Sequence, residues 1–134
     1  MTVPCGMALV PAAWGEVIDK ITILELKQAR IADAGAQANI ARELEALLAI
    51  VAERLPAPEA IAEERAALAA VNAELWEVED ALRDKERAQA FDAEFIALAR
   101  AVYHKNDRRA GLKRAINLAT GSAIVEEKSY KAYA

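Results

Sequence analysis

The chain has 134 residues, enough for one domain with a hydrophobic core of its own and too few for two. Its apolar content of 55% comes mostly from Ala and Leu with only 5% aromatic residues, which favours packed helices. A net charge of −4 opposes coating of nucleic acid, a lone Cys5 excludes an intrachain disulfide, and no stretch nears the roughly 18 apolar residues of a membrane span.

Residues 1–14 read as an irregular arm broken by Pro4, Gly6 and Pro11, without the basic start of a signal peptide. The expected location is therefore cytoplasmic, with neither nucleic acid nor membrane as partner. A first helix is expected from near Gly15 to near Asp33, because Val17, Ile18, Ile21, Leu24 and Ile31 recur at helical spacing. Glu16 and Lys20 form an i,i+4 pair there. A second helix, about Gln37 to Leu55, carries Ile40, Leu44, Leu47, Val51 and Leu55 and stops at Pro56-Ala57-Pro58.

The third helix, about Pro58 to Gln89, has a seven-residue register of Ile61, Leu68, Leu75 and Leu82, with Val71 and Val78 between. Asp92 is an N-cap for a fourth helix that Gly121 ends, and residues 121–134 form a tail suited to folding back over the bundle end. Short connections make neighbours antiparallel. The expected fold is all-α: a single domain forming an up-down helical bundle, with helices three and four as a long coiled-coil-like hairpin. Its tip, roughly 80–100, should project and leave Leu82, Phe95 and Leu98 partly covered, where a homodimer would bury them.

Charge runs on the two hairpin helices oppose one another. Six acids against two bases lie between Glu74 and Glu86, and five bases against one acid between Lys105 and Arg114. Pairs of Glu79 or Asp80 with Arg100, and of Asn72 with Asn106 or Asp107, are expected. Trp76 should pack against helix one or touch a ligand.

The apolar stripe Phe95, Leu98, Val102, Ile116 is interrupted by Asn106, Arg109 and Lys113, and inward polar groups need partners. These groups mark either a polar core network or a small-anion pocket for phosphate or carboxylate. Candidate ligand-binding residues are Glu16, Asp19, Lys20, Tyr103, Asn106, Asp107, Arg109, Lys113 and Asn117, with Thr22 nearby. Gly111 inside the helix suggests close approach by another helix or a ligand. His104 stands alone, and no metal-ligand spacing, glycine-rich phosphate loop or dinucleotide fingerprint occurs, so no metal or cofactor is expected and no catalytic residue is assigned.

Gly15 to Lys27, Asn72-Ala-Glu-Leu-Trp76 with Glu79, Asn106-Asp-Arg-Arg109, Lys113, Ile116-Asn117 and Glu126-Glu-Lys-Ser-Tyr130 together resemble a bacterial family catalogued as a domain of unknown function, number 6165. The resemblance implies a small helical protein and brings no activity, substrate or catalytic residues. Ala13-Trp14 stands where that family often has a capping Ser, which puts the cap of helix one in question. Two functional readings follow. One is an interaction module that self-associates and holds a partner or small anion. The alternative is an enzyme on a small anionic substrate, such as a sugar phosphate or nucleotide-like compound, with Arg109 and Lys113 binding it and Asp19 or Glu16 moving a proton.

Overall fold

The computed structural model describes residues 5–133. Four helices follow an irregular arm: α1 (Trp14–Arg30), α2 (Ala34–Arg54), α3 (Ala62–Ala88) and α4 (Ala93–Thr120), with a 3-10 turn at Pro58–Ile61 leading into α3. No strand occurs among the described residues.

Residue pairs across the interfaces fix the directions. Lys20 meets Glu43 across α1 and α2, and Lys85 meets Asp92 and Glu94 while Lys105 meets Glu74 across α3 and α4. Glu16 and Asp19 meet Lys113 and Arg109 across α1 and α4. Each of these helix pairs is thus antiparallel, which is the up-down order. α1 is the hub: it packs on α2, α3 and α4, whereas α2 packs chiefly on α1, and α3 packs most closely on α4.

The core joins Ile18, Ile21 and Leu24 of α1 to Ile40, Leu44 and Val51 of α2, Leu55 and Ile61 of the connection, Leu68 and Val71 of α3, and Ile116 of α4. On α3 the seven-residue stripe fades along its length. Ile61 and Leu68 are buried, and Leu75 and Leu82 are half-buried. The physical cause is length: α1 spans about 26 Å and α3 about 40 Å, so the hairpin outruns its cover. Phe91 and Ile96 at its tip are more than half exposed, at 53% and 58%, while Leu82, Phe95 and Leu98 remain half-buried.

Boundaries shift where side chains chose different partners. Asp33 does not close α1, which stops at Arg30; its carboxylate instead accepts the Ala36 N–H at 2.8 Å as the N-cap of α2, so Gly35 lies inside that helix. Pro58 opens a 3-10 turn, and α3 begins only at Ala62. α3 ends on Gln89 in the left-handed conformation, with the Ala90 N–H on the Lys85 carbonyl at 2.9 Å. Asp92 caps α4 through the Phe95 N–H at 3.0 Å, and Gly121 ends that helix at φ +62°. The backbone bond from Phe95, aided by Lys85, holds the Asp92 carboxyl below the usual carboxylate range.

Two of the expected ion pairs do not form. Glu16 leaves Lys20 for Lys113, because the neighbouring helix offers a less exposed cation, and Lys20 goes to Glu43. Across the hairpin, Glu74 takes Lys105, and no Arg100 pair with Glu79 or Asp80 appears among the described residues. Leu68→Ala should cost about 2–5 kcal/mol in urea unfolding, against about 0.5 kcal/mol or less for Leu118→Ala at an exposed position of α4.

Candidate functional site

α1 begins without a side-chain cap of its own, since Ala13 occupies the N-cap position. The cap is supplied from the other end of the chain. Asn117 Oδ1 accepts the Gly15 N–H at 2.7 Å, and Ser122 Oγ accepts the Trp14 N–H at 3.3 Å. This requires close contact. A Cβ on Gly15 would overlap the Lys113 carbonyl oxygen and stand 2.8 Å from Asn117 Oδ1, so the glycine sets how near α1 lies to α4. Gly111, by contrast, faces open space, so the close approach expected there is absent and sits at Gly15.

One turn further along α1, Asp19 is 1% exposed and meets a full set of donors. Arg109 reaches it with both Nε, at 2.9 Å from Oδ1, and Nη2, on Oδ2. Asn72 of α3 donates to the same Oδ1 at 2.9 Å and to Thr22 Oγ1 at 3.0 Å, while Thr22 donates to the Asp19 carbonyl at 2.7 Å. Asn72 therefore answers the buried carboxylate rather than Asn106 or Asp107. The hydrogen bonds to Asp19 raise the Arg109 guanidinium above its ordinary value, against the opposing effect of its burial. No buried side-chain polar atom among the described residues lacks a partner.

Lys113 stands 2.7 Å from Glu16 and 3.6 Å from Glu126 of the tail, its side chain only 13% exposed. Beyond it the tail, residues 122–133, runs back along α4. Arg114 holds Glu127 at 3.1 Å, and the Tyr133 hydroxyl donates to Asp107 Oδ2 at 2.7 Å and lies 3.0 Å from His104 Nδ1. That bond to Asp107 pushes the Tyr133 hydroxyl above its usual range, and Lys128 holds the Glu126 carboxyl below its own.

Between α4 and the tail lies a groove of about 630 Å³, lined by Tyr103, Asn106, Asp107, Arg109 and Lys113 from α4 and by Lys128, Tyr130, Lys131 and Tyr133 from the tail. Of its four cations, Arg109, Lys113 and Lys128 are paired with Asp19, Glu16 and Glu126, and Lys131 has no ion pair among the described residues. Of the nine candidates named from sequence, five line this groove. Glu16, Lys113 and Asn117 line a smaller adjoining hollow of about 320 Å³. Asn117 is committed to capping α1, Asp19 is sealed beneath Arg109, and Lys20 points away to α2. The structure thus separates Lys20 from the cluster, because its position on α1 faces α2 instead of α4.

Tail residues Lys128, Tyr130, Lys131 and Tyr133 escaped sequence reasoning as site residues, although their alternation of Lys and Tyr was a visible signal. A third depression, about 430 Å³, lies across α1, α3 and α4 and brings Ile23, Leu26 and Trp76 beside Asn72, Asn106 and Arg109. Trp76 packs toward α1 there, with the Arg30 guanidinium 5.6 Å from its ring centre.

The chain belongs to the family of unknown function DUF6165, whose sequence profile matches residues 9–134. No curated protein and no solved structure matches it. Among the described residues, no helix is long and apolar enough to cross a membrane.

Arg109→Ala should destabilise the fold by about 3 kcal/mol, because it leaves the Asp19 carboxylate buried with only an amide partner. Gly15→Ala should be destabilising through the clash with the α4 backbone, and equilibrium unfolding of both variants checks this pair of expectations.

Proposed function

We propose that this DUF6165 member is a cytoplasmic binding module whose α4–tail groove takes a small phosphate- or carboxylate-bearing ligand. The observation that carries the reading is Lys131, a groove cation without an ion pair among the described residues, beside Arg109, Lys113 and Lys128, whose charges are shared with Asp19, Glu16 and Glu126. Its volume of about 630 Å³ falls in the range of small-ligand sites. Arg109 spends Nε and Nη2 on Asp19, and its Nη1 makes no bond to the described residues, so a rigid donor stays available for an anion. Lys131 forms no ion pair among the described residues, and the Asn106 amide and the Tyr103 and Tyr130 hydroxyls add neutral donors.

Binding is better supported than chemistry. An enzyme on the same anionic substrate would need Asp19 or Glu16 to move a proton, yet Asp19 is 1% exposed under the Arg109 fork and Glu16 is paired with Lys113. Inorganic pyrophosphate titrated by calorimetry should bind in the micromolar to millimolar range and weaken with salt. Lys131→Ala should leave the melting temperature unchanged and weaken binding at least threefold. Absence of heat with phosphate, pyrophosphate and a dicarboxylate alike removes the reading.

The second part of the proposal concerns the other end of the molecule, where the coiled-coil-like hairpin carries exposed Phe91 and Ile96 next to half-buried Leu82 and Phe95. A homodimer through this tip removes that apolar surface from water. Sedimentation should show a concentration-dependent dimer that Ile96→Ser converts to monomer. Monomer alone across micromolar concentrations rules this part out.

A further inference from the structure

The tail is attached to the protein without being part of its core. Every member of the hydrophobic core lies between Ile18 and Ile116, and residues 122–133 form neither helix nor strand. They touch the helices at three separated points: Ser122 on the α1 terminus, Glu126 and Glu127 on Lys113 and Arg114 of α4, and Tyr133 on the α4 ledge of Tyr103, His104 and Asp107. At that ledge the Tyr133 ring stands edge-on to Tyr103 and His104, with centroids 5.1 Å and 4.8 Å away.

A segment held only at such points is held loosely. Glu127 is 77% exposed in its side chain, and Tyr133 and Tyr130 are 52% and 69% exposed. Ion pairs of that exposure contribute little and are screened by salt. The tether gives the tail an effective concentration of about millimolar at α4, so contacts too weak to hold a free copy of the same segment suffice to seat it. Any free chain that reproduces its contacts more strongly can therefore take its position.

We infer that the face of α4 under the tail is a docking surface for an extended acidic segment of a partner protein, carrying an aromatic residue about six positions after its carboxylates. In the free protein the chain's own tail fills that surface, with Glu127 and Tyr133 six residues apart as the stand-in. The complementarity is that of the observed contacts: Lys113 and Arg114 receive the acids, and the ring ledge with the Asp107 acceptor receives a phenol. The inference bears on the small-anion proposal, because Lys128, Tyr130, Lys131 and Tyr133 line that groove and a partner that lifts the tail would take its wall away.

The test adds a fluorescent peptide of residues 122–134 to the full-length protein and follows anisotropy. The wild-type chain should bind it weakly because its own tail competes, and the full-length E127Q/Y133A variant should bind it at least tenfold more tightly. A peptide carrying Y133A should lose most of that gain. Equal affinity for wild type and variant, or no binding to a variant whose circular dichroism shows native helix, overturns the inference. A wild-type dimer that Y133A dissolves overturns the partner assignment too, because the tails are then exchanged between copies. Pyrophosphate failing to bind while the peptide still does removes only the small-anion reading.

Discussion

A carboxylate taken out of water must be answered by donors, and Asp19 is the point where that demand organises this protein. Its two oxygens receive a forked guanidinium from α4 and an amide from α3, so one side chain of α1 specifies the placement of two other helices. Hydrophobic packing alone would leave the rotation of α4 loosely defined, since its apolar residues do not form a continuous stripe. The buried charge supplies the missing direction: only one rotation of α4 brings Arg109 onto Asp19 while Ile116 enters the core.

The same constraint explains the contact one turn earlier. With α4 drawn against α1 and Ala13 offering no acceptor at the N-cap, the first turn of α1 takes its acceptors from Asn117 and Ser122. Gly15 permits this because it has no Cβ to meet the Lys113 carbonyl. The end of α4 thereby closes the start of α1, and the tail emerges from Gly121 already directed back along α4. Groove and tail are consequences of how the two helices are joined, and the ligand and docking proposals share that origin.

The two ends of the molecule differ in character. The end built around α1, α4 and the tail is polar, with most of its cations matched to carboxylates of the chain itself and Lys131 left without an ion pair among the described residues. The hairpin tip sets exposed Phe91 and Ile96 among charged residues such as Asp84, Lys85, Arg87 and Asp92, and it rests on the α3–α4 contact. Under the proposed reading, pairing at the tip and ligand binding in the groove would use different stretches of the hairpin.

Period and punctuation made the four helices legible from residue order alone: the apolar spacing of α1 to α3, the prolines at 56 and 58, the Asp92 cap and Gly121. The same reading recognised that Asn106, Arg109 and Lys113 break an apolar stripe and need partners, because the cost of an unpaired inward polar group is a local property of the helix face. Which partners they find was decided in three dimensions. Asn72 turned to Asp19, Lys20 to Glu43, and Glu16 to Lys113, since these choices depend on helix rotation and on distances between residues far apart in the chain. Gly111 and Gly15 look alike as letters, and only the approach of α4 distinguishes the glycine that is needed from the one in open space. Helical periodicity is written in neighbouring residues, whereas the pairing of charges and the course of the tail follow from the packing of whole helices.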